Sequence, residues 1–307
     1  MKIRHILIAT DLSETSRRAY PYAAALARLD NARVTLIHVN EASLYAQHTA
    51  AELLEYLEQI GHAAADALAN EADYFATEFG VAVDVVDETG RASDRILDFA
   101  AHNEVDAIVV AKHGARIDRR ILMGSTSQRV VARSTLPVLV VDAEVDAPSD
   151  LVFKKLGCTT DWTPESHAGI EATVDIATRA NAHVTVMHAL PLPIFVPVIP
   201  GEPPLVFPRE ILESQREHKE EQLKALIAEH GGDNIDYRLL MGGAVGETLV
   251  DVAGDYDLVI MPSHGKGAFE RFFIGSTTLD VVRLSTTPIM ILPPAWLAAR
   301  LDEDKDK

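Results

Sequence analysis

Two stretches of the sequence carry glycine, histidine and hydroxyl residues at a shared spacing that suits the binding of phosphate. In the first, His113-Gly114 is followed after nine residues by Gly124-Ser125-Thr126; in the second, His264-Gly265 is followed at the same distance by Gly275-Ser276-Thr277. A ligand can approach a glycine backbone closely because no Cβ intervenes. The first amides of a helix lack internal partners and attract phosphate. The same residues could instead only turn the chain and cap a helix, so both interpretations stay open.

The two stretches are copies within a tandem duplication. Gly114 and Gly265 lie 151 positions apart, and Asp11 and Asp161, which occupy another matching pair of positions, lie 150 apart. A duplication keeps the spacing of a site whether or not the site still binds anything. The repeat therefore supports a shared ancestral site and leaves its present occupancy open.

Each half alternates apolar strands with amphipathic helices. Five strands and four helices are predicted per half, beginning with a strand from Ile3 to Ala9 that becomes continuously apolar, as is typical of a parallel sheet covered on both faces. The alternation predicts an α/β fold: two tandem doubly wound (Rossmann-like) five-stranded parallel sheets with helices on both faces. Pro21 lies inside the first predicted helix and should kink it or shift its start. Ser13 and Thr163 are predicted to cap the helices that follow the first strands. A long helix is predicted from about Glu41 to Phe79, and the third strand from Val81 to Val86.

The sequence divides into two predicted domains. Residues 1–143 form the first, an acidic segment at 144–150 is the linker, residues 151–294 form the second, and 295–307 are a charged tail that is predicted to begin as a short helix. The halves differ most at 190–208, where prolines alternate with bulky apolar residues. We expect this segment to be ordered and packed, either on the protein core or as a lid over an apolar ligand.

Charge and composition narrow the classes of function. The chain has 28 Lys and Arg against 46 Asp and Glu, a net charge of −18 that argues against nonspecific binding to nucleic acid or to anionic membranes. No apolar run approaches the roughly 18 residues of a membrane span, and the start is charged too early for a signal peptide. The single cysteine, Cys158, suits a reducing compartment. We therefore expect a cytoplasmic protein with no membrane insertion and no nucleic-acid partner.

The candidate binding residues follow strands that end at the same edge of each predicted sheet. Ligands of doubly wound sheets bind outside the carboxyl ends of the strands, where the strand order reverses. The residues placed there are Asp11, Val39 and His113-Gly114 in the first half, and Asp161, Ala189 and His264-Gly265 in the second. An aspartate after the first strand could accept a hydrogen bond from the amino group of a base, or could cap the next helix.

Metal binding and catalysis have weaker support. The histidines are scattered without the spacing or cysteine partners of a zinc site, so no metal is predicted. Ser125 and Ser276 have no identifiable base beside them in the sequence, so no catalytic residue is assigned. His38 and His188, near the ends of the second strands, are interpreted as hydrogen-bonded structural groups.

These residues resemble the universal stress protein family over roughly residues 1–143 and 150–294. Nucleotide-binding members carry Gly, two residues, Gly, nine residues and Gly-Ser/Thr after the fourth strand. The residues that match are Asp11 and Asp161 for the aspartate after the first strand, Gly114 and Gly265 for the second glycine, and Gly124-Ser125 and Gly275-Ser276 for the end of the motif. The resemblance implies binding of ATP or another adenine nucleotide at these positions.

The sequence departs from that motif at its first glycine, which is Ala111 in one half and Pro262 in the other. Alanine adds a methyl group, and proline also removes an amide donor. The first-half loop moreover carries four cations: Lys112, Arg116, Arg119 and Arg120. If only one half binds ATP, we therefore expect it to be the first.

The resemblance implies a cytoplasmic tandem universal stress protein, a stress-response factor that binds a ligand or a partner. Family members pair through their last strands, which places Pro137–Val141 and Pro288–Leu292 at the boundary of an intramolecular pseudo-dimer; a homodimer of the full chain stays open. One alternative is a nucleotide-free member that holds an apolar ligand under the 190–208 segment. Another is a slow ATPase or nucleotide-transferring enzyme on the same fold, although we favour a protein that is not an enzyme.

Overall fold

The computed structural model describes residues 1–41, 51–114, 123–142, 144–191, 209–230, 234–263 and 274–305, with side chains described for all of these except 51–58 and 303–305. The strands are β1 His5–Ala9, β2 Arg33–Asn40, β3 Val83–Thr89, β4 Ala107–Ala111, β5 Val138–Val141, β6 Lys155–Thr159, β7 His183–Pro191, β8 Ile235–Gly242, β9 Leu258–Pro262 and β10 Ile289–Leu292. The helices are α1 Glu14–Arg17, α2 Tyr20–Asp30, α3 Ala51–Phe79, α4 Ala92–His102, α5 Ser125–Arg133, α6 Pro164–Ala180, α7 Arg209–His230, α8 Val245–Ala253, α9 Ser276–Leu284 and α10 Pro294–Lys305.

All ten strands form one sheet in the order β3-β2-β1-β4-β5-β10-β9-β6-β7-β8. Read from each outer edge towards the middle, the order is the same in both halves, and every pairing within a half is parallel. The predicted fold class is confirmed, with the two five-stranded sheets joined into one. They join through antiparallel pairing of β5 with β10, in which Leu139 lies opposite Met290. The last strands of the two halves therefore lie where the family resemblance placed them.

The sheet is covered on both faces, which explains the continuously apolar strands. Along β4, Ala107 and Val109 pack into one core layer, whereas Ile108 and Val110 pack into the other. The first layer includes buried side chains of α2, α3, α6, α7 and α10. The second includes those of α4, α5, α8 and α9. Alternate residues of a strand point to opposite faces, so each central strand contributes to both layers.

The first predicted helix is divided in two, as Pro21 suggested. Helix α1 ends at Arg17, and α2 begins at Tyr20 with the proline in its first turn. Proline has no N–H to donate to the carbonyl four residues earlier, and its ring would clash with that carbonyl. The matching helix of the second half, α6, runs unbroken for 17 residues because its proline, Pro164, stands at its start.

Several predicted boundaries shift in the structure. The third strand, predicted at 81–86, is β3 at Val83–Thr89. The long helix predicted from Glu41 is described from Ala51 onward, since residues 42–50 lie outside the described residues. The tail, predicted as a short helix with a charged end, is helical from Pro294 to Lys305.

One close contact distinguishes the second half from the first. Gly169 in α6 packs directly against Pro262 at the end of β9, and a Cβ on this glycine would lie 2.1 Å from the proline Cγ. The corresponding residues of the first half are Ala19 and Ala111, both buried. The larger ring on the strand is thus matched by a smaller residue on the helix, so the two positions are expected to be energetically coupled.

We predict that Gly169→Ala destabilises the protein, because overpacking against a rigid ring typically costs about 1–3 kcal/mol. The double variant Gly169→Ala/Pro262→Ala should recover much of that loss, since it recreates the pair found in the first half. Gly61→Ala is the matched control: this mid-helix position is open, and alanine there should stabilise by about 0.5–1 kcal/mol. Urea denaturation of these proteins and of the single variant Pro262→Ala measures the coupling. Additive effects of the Gly169 and Pro262 substitutions would contradict it.

Candidate functional site

A cleft of about 600 Å³ opens at the carboxyl ends of β1, β2 and β4. All seven residues predicted for the first half line it: Asp11, Val39, His113, Gly114, Gly124, Ser125 and Thr126. Apolar side chains, including Ile37, Ile96 and Met123, form much of the remaining wall. Residues more than a hundred positions apart in the sequence thus converge on one concave surface, as the strand-end argument predicted.

Asp11 takes part both in a helix cap and in the cleft wall. Its Oδ1 accepts hydrogen bonds from the backbone N–H and the hydroxyl of Ser13, which itself caps α1 by accepting from the Ser16 N–H. The carboxylate also lies against Gly114, where a Cβ would come within 2.3 Å of Oδ2. The glycine is therefore required for this close approach, and the capping and binding interpretations of Asp11 are compatible.

The far end of the loop opens helix α5. Gly124 is its N-cap residue, makes no side-chain cap bond, and donates its N–H to the Lys112 carbonyl at 2.9 Å. Ser125, considered from the sequence as a capping residue, is instead the first helical residue. Ser127 anchors the helix by donating its hydroxyl to the Ala111 carbonyl at 2.7 Å. This arrangement leaves the first turn of α5 at the cleft, where its amides can face an anion.

His113 stands half-buried beside Gly114 in the cleft wall. Burial lowers the pKa of His113 below the usual histidine value, and the charge of Lys112 lowers it further. The imidazole is therefore neutral at neutral pH. It can donate or accept one hydrogen bond at the ligand, and it does not supply a positive charge.

The structure corrects the role predicted for Lys112. Its ammonium does not face the cleft: it donates to Asp142 Oδ2 at 2.8 Å and to the Ser285 carbonyl at 3.0 Å, and its side chain is 5% exposed. The reason is that Lys112 continues the line of β4 next to β5, where a long side chain reaches the boundary between the halves. The three predicted loop cations Arg116, Arg119 and Arg120 lie outside the described residues.

The residues in place of the motif's first glycine have different surroundings in the two halves. Pro262 packs its ring on Gly169 of α6, whereas Ala111 is buried at the end of β4 and lines the first-half cleft. The β1–β4 ladder has four residue pairs, whereas the β6–β9 ladder has three and ends at Cys158–Ile260, two residues before Pro262. We infer that the missing proline N–H removes a bond of the sheet, and no longer count it as a lost ligand amide.

The second half repeats part of this arrangement. Asp161 Oδ1 accepts from the N–H of Thr163 at 3.2 Å and from its hydroxyl at 2.6 Å, as Asp11 does from Ser13. Ala189 is buried near the end of β7. Gly275 is the N-cap of α9, and Ser276 and Thr277 open that helix. The predicted residues His264 and Gly265 lie outside the described residues.

The histidines at the ends of the second strands are hydrogen-bonded, as expected for structural groups. His38 Nδ1 lies 2.8 Å from Asp87 Oδ1. His188 Nδ1 donates to the Thr160 carbonyl at 2.8 Å, and its ring lies against Trp162 at a centroid distance of 5.0 Å, with the ring planes tilted by 51°. Burial is the main cause that lowers the pKa of His188.

Sequence reasoning missed several polar residues of the cleft: Thr10, Ser16, Glu41, Ser127 and Gln128, of which Glu41 is charged. Glu41 lines the cleft and accepts a hydrogen bond from the Ala92 N–H at 2.8 Å, so it caps α4 from the end of β2. The carboxylate adds a second negative charge near Asp11. Only its position two residues after Val39 hinted at this role, and that signal is too weak to identify a site residue without the fold.

Comparison with known proteins identifies the family. The model of the universal stress protein family matches residues 2–142 and again residues 153–293. The chain belongs to the universal stress protein family. It is similar to a universal stress protein of Mycolicibacterium smegmatis, with 28% identity over 94% of this chain and 97% of the relative. A Synechocystis universal stress protein is 23% identical over 94% of this chain and 99% of its own length.

A solved structure supports the same fold for this universal stress protein family member. The crystal structure of a universal stress protein from Archaeoglobus fulgidus superposes with a TM-score of 0.67, at 17% identity, and covers 96% of this chain and 100% of its own. At that identity the likeness concerns the fold alone. In the part of the chain that the structure describes, no helix is long and apolar enough to cross a membrane, and no three or more His, Cys, Asp or Glu side chains are grouped to hold a metal ion.

The described histidines predict a loss of stability in mild acid. Burial is the largest cause that lowers the pKa of four of them: His5, His113, His188 and His230. In the unfolded chain these histidines have the usual pKa of about 6.5, whereas in the folded chain their pKa values are lower. As the pH falls through 6.5, the unfolded chain therefore binds more protons than the folded chain, and the free energy of unfolding decreases until the pH reaches the folded pKa values.

Urea denaturation between about pH 7.5 and pH 5.5 measures this dependence, a window above the usual carboxyl pKa values. The variant His5→Gln should show a shallower decrease, because one buried titrating group is removed. An unfolding free energy that stays constant or rises as the pH falls would contradict the prediction.

Proposed function

We propose that the first-half cleft binds an adenine nucleotide, and that the protein acts in the cytoplasm as a stress-response factor controlled by that ligand or by a partner. One observation supports this most: in a universal stress protein, Asp11, Val39, His113-Gly114 and Gly124–Thr126 line a single cleft. The cleft volume of about 600 Å³ lies within the range of roughly 300–1,000 Å³ typical of small-ligand sites.

The chemistry of the cleft suits a base at one end and phosphate at the other. Apolar side chains such as Ile37 and Ile96 offer flat walls to a base, and the Asp11 carboxylate offers an acceptor for an exocyclic amino group. At the other end, the first turn of α5 offers amides to phosphate oxygens. Neutral His113 adds a hydrogen bond between the two ends.

We also propose that the first half binds ATP in preference to the second, although two of the original reasons no longer apply. Lys112 is turned away from the cleft, and Pro262 directs its ring towards α6. The remaining support is the charge of the loops in the sequence: residues 115–122 carry three arginines and one aspartate, whereas the matching residues 266–273 carry one lysine, one arginine and one glutamate. A cationic loop favours the triphosphate.

Neither alternative function gains support from a described contact. An apolar ligand would depend on the proline-rich segment, and residues 192–208 of that segment lie outside the described residues. A nucleotide-cleaving enzyme would need a group that activates water, and Ser125, at the start of α5, is given no such partner by any described hydrogen bond. The nucleotide-binding proposal is therefore tested first.

We predict that Asp11→Asn weakens ATP binding to the full chain by about tenfold, the difference between a charged and a neutral hydrogen-bond acceptor. Asparagine caps a helix as well as aspartate does, so stability should change little. Asp161→Asn is the matched control, since Asp161 makes the same cap in the second half. Calorimetry of the three proteins with ATP measures the effect.

The other outcomes of this calorimetry would move the nucleotide to the second half, remove Asp11 from the site or contradict nucleotide binding. Weakening by Asp161→Asn alone would place the nucleotide in the second half. Equal affinity in all three proteins would remove Asp11 from the site, and an absence of any binding heat with the unchanged protein would contradict nucleotide binding itself.

A further inference from the structure

Lys112 is held by four bonds that connect the cleft to the other half of the protein. Its N–H donates to the Val141 carbonyl at 2.7 Å, and its carbonyl accepts from the Gly124 N–H at 2.9 Å. Its ammonium donates to Asp142 at 2.8 Å and to the Ser285 carbonyl at 3.0 Å. Lys112 therefore connects Gly124, at the far end of the first-half loop, to the end of β5 and to the second half.

The ion pair of Lys112 with Asp142 is deeply buried, with side chains 5% and 8% exposed. Removing two charges from water is costly, and apolar residues often serve stability as well. The second half has no counterpart of the Lys112–Asp142 ion pair, because Ser263 and Pro293 occupy the matching positions. There the Ser263 hydroxyl accepts from the Gly275 N–H at 3.3 Å. The fold of a half therefore does not require the buried pair.

The residue of the second half that Lys112 contacts, Ser285, lies in a hydrogen-bonded turn at the end of α9. Ser285 is the C-cap of α9, and its N–H donates to the Val281 carbonyl. Its hydroxyl accepts from the Thr287 N–H at 3.0 Å, two residues before β10 begins. A cation at a helix C-terminus is also favoured by the helix dipole. The other end of α9 is Ser276, in the candidate site of the second half.

We propose that Lys112 is a positioning residue that couples ligand occupancy of the first-half cleft to the turn at residues 284–288 of the second half. The inference rests on the proposed nucleotide function. A ligand that holds His113-Gly114 against Gly124 also holds the backbone of Lys112, and with it the ammonium on the Ser285 carbonyl. Ordering of one site then stabilises the other, and by thermodynamic linkage the effect is reciprocal.

The coupling runs through one half only. Ser263 is too short to repeat the reach of a lysine, and its hydroxyl is used within its own half. The two candidate sites of this duplicated protein are thus expected to communicate through the first-half loop. The two halves, although related by duplication, are thus expected to play different parts in this coupling.

Hydrogen exchange of the full chain, with and without ATP, tests the proposal. In the unchanged protein, ATP should slow amide exchange in the first-half loop and also at residues 284–288, by about fivefold or more. In the double variant Lys112→Met/Asp142→Asn, which removes both buried charges together, the slowing should be confined to the first half. The affinity for ATP should fall by about fivefold, the smallest coupling usually called allosteric.

Arg179→Met/Asp30→Asn is the matched control. This pair also joins the two halves, with the guanidinium Nε 2.9 Å from the Asp30 carboxylate, but neither residue lines the cleft. A role of Lys112 in stability alone would lower the unfolding free energy of both double variants and leave the distant slowing in place. The proposal instead predicts that the distant slowing survives in the control and disappears in the Lys112 variant.

The outcomes separate this inference from the nucleotide proposal. ATP that binds the unchanged protein without slowing exchange at residues 284–288 would overturn the coupling and leave nucleotide binding intact. Slowing that persists in the Lys112→Met/Asp142→Asn variant would show that Lys112 is not its carrier. If calorimetry shows no ATP binding to the unchanged protein, both proposals fail.

Discussion

The antiparallel pairing of β5 with β10 is the constraint on which the rest of the structure depends. Each half alone would end in a short, apolar edge strand with unpaired backbone groups, and such edges must be covered. Their pairing joins the halves into one ten-stranded sheet, in which the strands of one half run antiparallel to those of the other. The carboxyl end of β5 thereby lies beside the start of β10, which is why Lys112 can reach Ser285. The boundary between the halves, and the contact of Lys112 across it, are thus consequences of one register.

The cleft itself depends on a strained corner that both halves share. Leu12 and Trp162 follow the two aspartates with φ of 63° and 70°, a left-handed conformation that bulky residues rarely adopt. The corner turns each aspartate onto the cap of the next helix. In the first half this corner also places the Asp11 carboxylate against Gly114. Such strain persists only where the surrounding structure enforces it, and its repetition shows that both copies retain this local geometry.

Local patterns predicted the fold well because they are set by neighbours in the sequence. Strand alternation, the break at Pro21 and the caps at Ser13 and Thr163 follow from such patterns. The position of the last strands, by contrast, followed from the family resemblance. The convergence of Asp11, Val39 and Gly114 followed from the topology of parallel sheets. What failed was the direction of side chains at strand ends. Lys112 and Pro262 face the boundary and α6 because of register and of the residues opposite, neither of which a single sequence shows.

The central claim is that the first-half cleft holds an adenine nucleotide. Native mass spectrometry of the freshly purified full chain, followed by denaturing release of whatever is bound, tests it most directly. The cleft chemistry predicts an adenine nucleotide, in about stoichiometric amount or readily taken up when ATP is added. A lipid or fatty acid as the bound species, with no uptake of ATP by the same preparation, would contradict the claim.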